Sequence, residues 1–296
     1  MSQTLPASRT AVQVCQGRAA ADGLIAVGRF ADPTAMALLL PGEREVVRWV
    51  RAAAVPQGWS DRIDYESIRA TAELMAPRTV FIDDAVREQP SPQVVILGAG
   101  LDGRAWRMPE LAAAAVFEVD QPASQADKRR RAAELASVAG LPGRAPVFVP
   151  VDFGRDRLGD ALVAAGHRAE LATTWIWEGV VPYLTEAQVA TTVAAVAGSS
   201  APGSRLVVNF QAPAASAKVG RFVARLLMAS TGRRSVWARE PWRSTWTPPA
   251  MTALLAAHGY TVTRHEPLTA TAAALGIPVH HRASLAQSHV LIADRT

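Results

Sequence analysis

The sequence predicts an α/β protein built on a doubly wound, mostly parallel β-sheet. Two observations predict this fold class. After residue 90, short apolar runs rich in β-branched residues alternate with helical stretches, as in successive βαβ units. A glycine-rich loop directly follows the first of these runs. The chain has 296 residues, of which 49% are hydrophobic and 19% charged, so it can bury a large core.

Residues 1–90 are predicted to form a helical leader that packs on the sheet. Apolar residues recur at helical spacing through residues 8–30, and Asp32-Pro33 has the form of a helix start. A second helical pattern covers residues 65–89, in which Pro77 is expected to bend or divide the helix. The pattern changes at the Pro-rich segment QPSPQ (89–93), which separates the leader from the core.

Six apolar runs are predicted as strands of the core. They cover residues 94–97, 114–120, 146–152, 171–178, 205–210 and 288–294. Helical stretches at 121–139 and 185–197 lie between them, as parallel strands require. Residues 211–250 interrupt the alternation with tryptophans and a TPP triplet, which predicts a helical insertion before the last sheet elements. We expect leader (1–90) and core (91–296) to form one compact unit.

Composition limits the function classes. The formal net charge is +5, and the one dense basic run, Lys128–Arg131, is flanked by Asp127 and Glu134 on a predicted helix, which favours a solvated face over nucleic-acid contact. The single cysteine, Cys15, excludes an internal disulfide and a cysteine-rich metal site. No apolar stretch approaches the ~18 residues of a membrane span, and the first ten residues lack a signal pattern. We expect a cytoplasmic protein without metal, nucleic acid or membrane partner; its oligomeric state stays open.

The loop Gly98-Ala99-Gly100-Leu101-Asp102-Gly103 has the G-x-G-x-x-G spacing of a dinucleotide site. The negative charge of Asp102 would repel the phosphates there, an electrostatic cost of roughly 1–4 kcal/mol. Pro109 leaves room for only a short helix after the loop, where a pyrophosphate site needs a longer one. Asp120 ends the second predicted strand, where an acid binds ribose hydroxyls of either cofactor type. The loop therefore favours S-adenosylmethionine, which has no phosphate, over NAD or FAD, although an NAD- or FAD-dependent oxidoreductase stays an alternative.

Five segments together resemble the leucine carboxyl methyltransferase family. They are GRFADPTA (28–35), APRTVFIDDAV (76–86), VVILGAGLDGRAWRMPEL (94–111), VFEVDQP (116–122) and WIWEGVVPYLT (175–185). Their order and spacing agree with the family over most of the chain. The resemblance implies a seven-stranded, Rossmann-like class I methyltransferase sheet with S-adenosylmethionine as cofactor. The family includes enzymes that methylate a protein C-terminal carboxylate, and bacterial members that act on carboxyls or hydroxyls of polyketides and modified peptides.

The resemblance also implies a role for individual residues, each facing one part of the cofactor. Arg78 would bind the methionyl carboxylate, with Arg18 as a further basic contact, and Glu178 would bind the ammonium. Gly98 and Gly100 would let the backbone approach the cofactor closely, and Asp120 would bind the ribose. Asp152 and Phe153 would contact the adenine. Structural alternatives stay open for several of them. Arg78 could pair with Asp83 or Asp84, Asp152 could cap a helix, and Glu178 could be a solvated strand end. Asp102 and Arg104 are expected to stabilise the loop as partners.

The acceptor is expected to be a carboxylate of a small natural product or peptide. A carboxylate is ionised at neutral pH and needs no general base, whereas a phenol or alcohol of a polyketide, the alternative acceptor, would be helped by one. Candidate acceptor residues are Tyr183 and Arg282, and His280 and His281 are the candidate bases. Residues 236–246 could form an apolar lid or pack in the core. A binding protein that keeps the fold without catalysis is a further alternative.

Overall fold

A computed structural model describes residues 8–138, 140–152, 155–213, 242–278, 280 and 282–296. Its strands are β1 Gln93–Leu97, β2 Ala115–Asp120, β3 Val147–Pro150, β4 Thr173–Trp177, β5 Arg205–Gln211, β6 Tyr260–Pro267 and β7 Ser288–Arg295. They form a seven-stranded sheet in the order β3-β2-β1-β4-β5-β7-β6. Strands β1 to β5 pair in parallel, and β7 runs antiparallel to both β5 and β6. The predicted doubly wound, mostly parallel sheet is confirmed.

All six predicted strands are present, and β6 is the strand that the sequence did not single out. Its residues, YTVTRHEP, include charged and polar side chains, and most of them are only half-buried. β6 is an edge strand that pairs only with β7. A half-covered edge lacks the continuous apolar run that marks a strand buried on both faces, which is why the pattern was weak.

Helices surround the sheet. They are α1 Arg9–Ala21, α2 Ala35–Leu38, α3 Pro41–Arg51, α4 Trp59–Glu88, α5 Arg104–Arg107, α6 Pro122–Ala132, α7 Leu158–Ala164, α8 Glu186–Gly198, α9 Pro248–Ala256, α10 Leu268–Ala274 and α11 Arg282–Gln287. Single 3-10 turns cover Pro109–Leu111, Ala133–Ser137 and Val181–Tyr183. The predicted insertion at 211–250 is described only at its ends, because residues 214–241 lie outside the described part.

The expectation that Pro77 divides the leader helix is wrong, because α4 continues through it. A proline inside a helix removes one backbone hydrogen bond and costs ~3 kcal/mol. Here the surrounding residues from Ala72 to Val86 are almost all buried, which holds the helix together by packing. One long helix thereby carries Arg78 to the end of the sheet where β4 ends.

Two apolar layers cover the two faces of the sheet. Alternate residues of a strand point to opposite faces, so Val94 and Ile96 of β1 pack into the layer that contains buried residues of α1 and α4. Val95 and Leu97 pack into the opposite layer, together with Trp175 of β4 and residues of α7, α8 and α9. The leader helices therefore contribute to one of the two apolar layers that cover the sheet, and they form one wall of the site described below.

The basic run at 128–131 is only partly a solvated face. Arg129 and Arg130 are exposed, but Lys128 and Arg131 are buried. The Lys128 Nζ lies 2.5 Å from Oε2 of Glu118, a fully buried residue of β2. The difference arises because α6 packs between the sheet and the leader, which covers one side of the helix. Over the described ranges, no helix combines the length and apolarity needed to cross a membrane.

Candidate functional site

A cavity of about 600 Å³ opens beyond the carboxyl ends of β1, β2 and β4. Its volume lies within the ~300–1,000 Å³ of small-molecule sites, and its place is the crevice where open α/β sheets bind ligands. Residues of α1, among them Ala11 and Val14, form its wall on the leader side. The sequence-predicted residues that line it are Arg18, Arg78, Gly98, Gly100, Asp120, Asp152, Glu178 and Tyr183.

The glycine loop takes a conformation that requires glycine at two positions. Gly98 and Gly100 have positive φ angles of 64° and 48°. A Cβ on Gly98 would lie 2.3 Å from Cγ2 of Val180, so the backbone there has no space for a side chain. A Cβ on the third glycine, Gly103, would lie 1.8 Å from Oγ1 of Thr34 in the leader. The third glycine thus packs against the leader and not under a phosphate-binding helix.

The helix after this loop is short, as expected from Pro109. α5 has 4 residues and gives way to the 3-10 turn that begins at Pro109. A helix of this length offers little of the dipole that stabilises a pyrophosphate. The loop geometry accordingly departs from a dinucleotide site.

Asp120 is held in place by the loop that it faces. Its Oδ2 accepts a hydrogen bond of 2.7 Å from the Gly100 N–H, and its Oδ1 accepts one of 2.7 Å from the Gln121 N–H. Burial raises the pKa of Asp120 above its usual value, against the opposing effect of these two backbone donors. Each carboxylate oxygen has a further lone pair, so Asp120 can still accept hydrogen bonds from a ligand.

Arg78 and Glu178 form a buried ion pair at the cavity. The Arg78 Nε lies 2.7 Å from Glu178 Oε1, and the Arg104 Nη1 lies 2.7 Å from Glu178 Oε2. Burial acts to raise the pKa of Glu178, but the guanidinium groups of Arg104 and Arg78 outweigh it and lower that pKa to about 2. The partner of Arg78 is therefore neither Asp83 nor Asp84, and Glu178 is not a solvated strand end.

A network of ion pairs extends from this pair into the loop. Arg104 pairs with Asp102 through its side chain, and its N–H donates to Asp102 Oδ1 at 2.7 Å, as expected of loop partners. Arg104 also donates from Nε to Asp83 Oδ1 at 2.7 Å, which ties the loop to α4. Burial acts to raise the pKa of Asp102, but Arg104 and Arg18 outweigh it and hold that pKa well below its usual range. The carboxylate of Asp102 stays ionised at neutral pH.

Arg18 connects the first leader helix to the same loop. Its Nε lies 2.8 Å from Oδ2 of Asp32, and its Nη2 donates to the Leu101 carbonyl at 2.5 Å. Asp152 also lines the cavity and pairs loosely with Arg155 at 3.8 Å. It does not cap α7, which begins at Leu158.

The predicted acceptor residues are only partly brought to the cavity. Tyr183 lines it, in the turn that follows β4. His280 is not among its lining residues. Its Nδ1 lies 2.8 Å from Oε1 of Glu73, and its N–H donates to Oε2 of the same residue at 3.1 Å. His281 and Phe153 lie outside the described residues, as does Trp237 of the predicted lid. Arg282 begins α11, and its side chain also lies outside them.

The sequence analysis does not single out several polar residues of the cavity, among them Arg243 and Gln188. Arg243 lies in the segment after the insertion, and Gln188 lies in the first turn of α8. No motif marks Arg243, and the T-x-x-Q motif that contains Gln188 indicates a helix start and not a binding residue. Within the described ranges, no group of three or more His, Cys, Asp or Glu side chains is placed to hold a metal ion.

Comparisons with known proteins identify the family. The chain matches the family model of leucine carboxyl methyltransferases over residues 11–197. It is 32% identical to a Streptomyces coelicolor protein provisionally named S-adenosyl-L-methionine-dependent methyltransferase SCO7813. The aligned 253 residues cover 84% of this chain and 81% of that protein. A Mycobacterium sp. (strain JLS) protein with the same provisional description is 37% identical over 148 residues, which is 50% of this chain and 48% of the relative.

Solved structures are similar to this chain at low sequence identity. A protein of Bordetella parapertussis described as a possible exported protein has a TM-score of 0.51 at 16% identity and covers 100% of this chain and 99% of its own. The magnesium protoporphyrin IX methyltransferase of Synechocystis PCC 6803 has a TM-score of 0.47 at 13% identity, with 77% of this chain and 87% of that chain covered.

Strand order and site position together define the class. The order β3-β2-β1-β4-β5-β7-β6, with a cavity beyond the parallel strands, is that of a Rossmann-like class I methyltransferase. The chain belongs to the leucine carboxyl methyltransferase family. The predicted fold class and family are thus confirmed, and so is the expectation of S-adenosylmethionine as the cofactor.

Proposed function

We propose that this chain is an S-adenosylmethionine-dependent O-methyltransferase that converts a carboxylate of a small molecule or peptide into its methyl ester. The observation that carries the proposal is the Arg78–Glu178 pair, which lies at one cavity with Asp120 and the glycine loop. A free amino acid end group has one carboxylate and one ammonium, and the pair offers a group of opposite charge to each. This arrangement suits the methionyl part of S-adenosylmethionine.

The remaining groups of the cavity fit the rest of that cofactor. Arg78 would bind the methionyl carboxylate, with Arg18 as a second basic contact, and Glu178 would accept from the ammonium with its remaining lone pairs. Gly98 and Gly100 line the cavity with backbone alone, which allows a ligand to approach closely. Asp120 would accept from the ribose hydroxyls.

The adenine end of the proposed site is lined by Asp152. Its carboxylate is 46% exposed and would accept from the exocyclic amine of the adenine. Phe153 follows it directly in the chain and is proposed, from the family resemblance alone, to cover the face of the ring. When bound, S-adenosylmethionine supplies a methyl group activated by a sulfonium, so the enzyme contributes mainly proximity and orientation.

The position of His280 favours a carboxylate acceptor over a hydroxyl. A hydroxyl acceptor would be helped by a general base close to it. His280 is bound to Glu73 through Nδ1 and through its backbone N–H, away from the cavity lining. Asp102 and Glu178, which do line the cavity, have pKa values that guanidinium groups hold low, so they are poor proton acceptors at neutral pH. A carboxylate acceptor, already ionised, needs none of these groups as a base.

The test is the chemical nature of the methylated product. The full chain is incubated with S-adenosylmethionine labelled in the methyl group and a panel of aryl, acyl and N-acyl-amino acids, each matched with its primary amide and with a phenol of similar size. Alkali releases a methyl ester as volatile labelled methanol and leaves a methyl ether intact. We expect alkali-labile label with acids and none with amides. Label that is only alkali-stable, or none on any acid, would overturn the carboxylate proposal.

A further inference from the structure

The segment that follows the insertion is anchored on the turn after β4. The Arg243 N–H donates to the Pro182 carbonyl at 2.7 Å, and Oγ of Ser244 donates to the Val181 carbonyl at 3.3 Å. Trp246 fixes the other end, since its backbone N–H donates to the Gln211 carbonyl at 2.9 Å. Arg243 is therefore held at a defined place beside Tyr183. Tyr183 belongs to the turn Val181–Tyr183, which follows Glu178 in the chain.

Arg243 differs from the other arginines of the cavity. The guanidinium groups of Arg18 and Arg78 are buried and paired with Asp32 and Glu178. Arg243 is exposed and lines the cavity, and among the described residues no side chain forms an ion pair or hydrogen bond with its guanidinium. Its charge is thus available to a ligand inside the cavity.

A second donor lines the same cavity, close in the chain to the turn that holds Arg243. Gln188 lines it, and Oε1 of this residue accepts a hydrogen bond of 2.9 Å from the Thr185 N–H in a capping box at the start of α8. The capping bond fixes the amide orientation, so that the Nε2 group remains as a donor. Arg243, Gln188 and Tyr183 all line this cavity and are distinct from the residues assigned to the cofactor.

We propose that Arg243, assisted by Gln188, forms an anion subsite that binds the carboxylate of the methyl acceptor. This inference rests on the proposed function. A guanidinium that holds one carboxylate oxygen leaves the other free to be aimed at the methyl group. Methylation removes the negative charge of the acceptor, so the subsite binds the substrate more tightly than its neutral ester product. Arg243 thereby sets a preference for anionic acceptors and favours release of the ester.

The test compares Arg243→Ala and Arg243→Lys with wild type on an acid of the panel that wild type esterifies. Arg168→Ala serves as control, since Arg168 has a 63% exposed side chain and precedes the opposite, amino-terminal end of β4. Loss of one charge-assisted contact should raise KM for the acid about 10- to 100-fold in Arg243→Ala. We expect partial recovery in Arg243→Lys and no change in Arg168→Ala.

A charge-specific readout separates recognition from a structural role. The acid and its primary amide are compared as competitive ligands, and binding of S-adenosylmethionine is measured by calorimetry in each variant. We expect wild type to prefer the acid and Arg243→Ala to bind acid and amide equally, with cofactor affinity unchanged. An unchanged KM and an unchanged acid preference in Arg243→Ala would overturn the subsite. The proposed function would still hold in that case if wild type forms the ester. Methylation of phenols alone by wild type overturns both.

Discussion

The buried carboxylate of Glu178 should contribute strongly to stability, and Glu178→Gln tests this. Guanidinium groups lie 2.7 Å from each of its oxygens, from Arg78 on one side and Arg104 on the other. The pKa of Glu178 falls from 4.5 to about 2 in the folded protein. At ~1.4 kcal/mol for each pKa unit, this difference corresponds to about 3 kcal/mol of free energy of unfolding at neutral pH. Gln keeps the size but removes the charge, so we expect a loss of about 3 kcal/mol at pH 7.

The pH dependence fixes the sign of this effect. Because the folded pKa is lowered, the contribution of Glu178 is complete above pH 4.5 and is lost as the pH falls through about 2. Urea unfolding at pH 7 and at pH 3 should therefore give a large difference between wild type and Glu178→Gln at pH 7 and a smaller one at pH 3. Glu170→Gln, at a side chain that is 70% exposed, should stay within ~0.5 kcal/mol of wild type. Equal stabilities at pH 7, or a difference that does not shrink on acidification, would refute the reasoning.

Two further substitutions test the packing that supports the site. Gly98→Ala combines a φ of 64° with a Cβ 2.3 Å from Val180, whereas Gly23→Ala combines a φ of 70° with open space. We expect Gly23→Ala to cost ~1 kcal/mol and Gly98→Ala to cost clearly more and to weaken cofactor binding, as measured by urea unfolding and calorimetry; equal costs would count against the close approach. Lys128→Met should cost more than ~1 kcal/mol in urea unfolding at pH 7, because it removes the counter-ion of the buried Glu118. Burial already raises the pKa of Glu118 to about 7, so its protonation in the variant limits the cost. A cost below ~1 kcal/mol would mean that this pair adds little.

The sequence predicted the strands that are buried on both faces and failed at the one that is not. β1 after its first residue, Gln93, and the whole of β4 are apolar or β-branched and fully buried, so their runs identify them without further information. In β6, at the edge of the sheet, only Tyr260 is buried, and the other residues are half-buried or exposed. β6 pairs with β7 because the chain between these two strands reverses its direction. No local sequence pattern specifies that pairing. α4 continues through Pro77 for a related reason, since its tertiary packing outweighs the local cost of proline.

The site residues could be predicted where a strand end marks them, and their partners could not. Asp120 and Glu178 each follow or end an apolar run, and both line the cavity. Arg78 had two acids nearby on its own helix, but it pairs with Glu178, 100 residues further along the chain. Only the parallel order of β1 and β4 brings these residues together. Arg243 has no marker in the sequence, because its place depends on backbone hydrogen bonds to Pro182.

The most direct test of the central claim is calorimetric titration of the full chain with S-adenosylmethionine, and in parallel with NAD and FAD. Asp120→Asn is compared with Asp160→Asn, whose carboxylate is 82% exposed in α7. We expect saturable binding of S-adenosylmethionine alone, weakened about 10-fold or more by Asp120→Asn and unchanged in Asp160→Asn. Binding of NAD or FAD in place of S-adenosylmethionine, or wild-type affinity in Asp120→Asn, would contradict the assignment of this cavity.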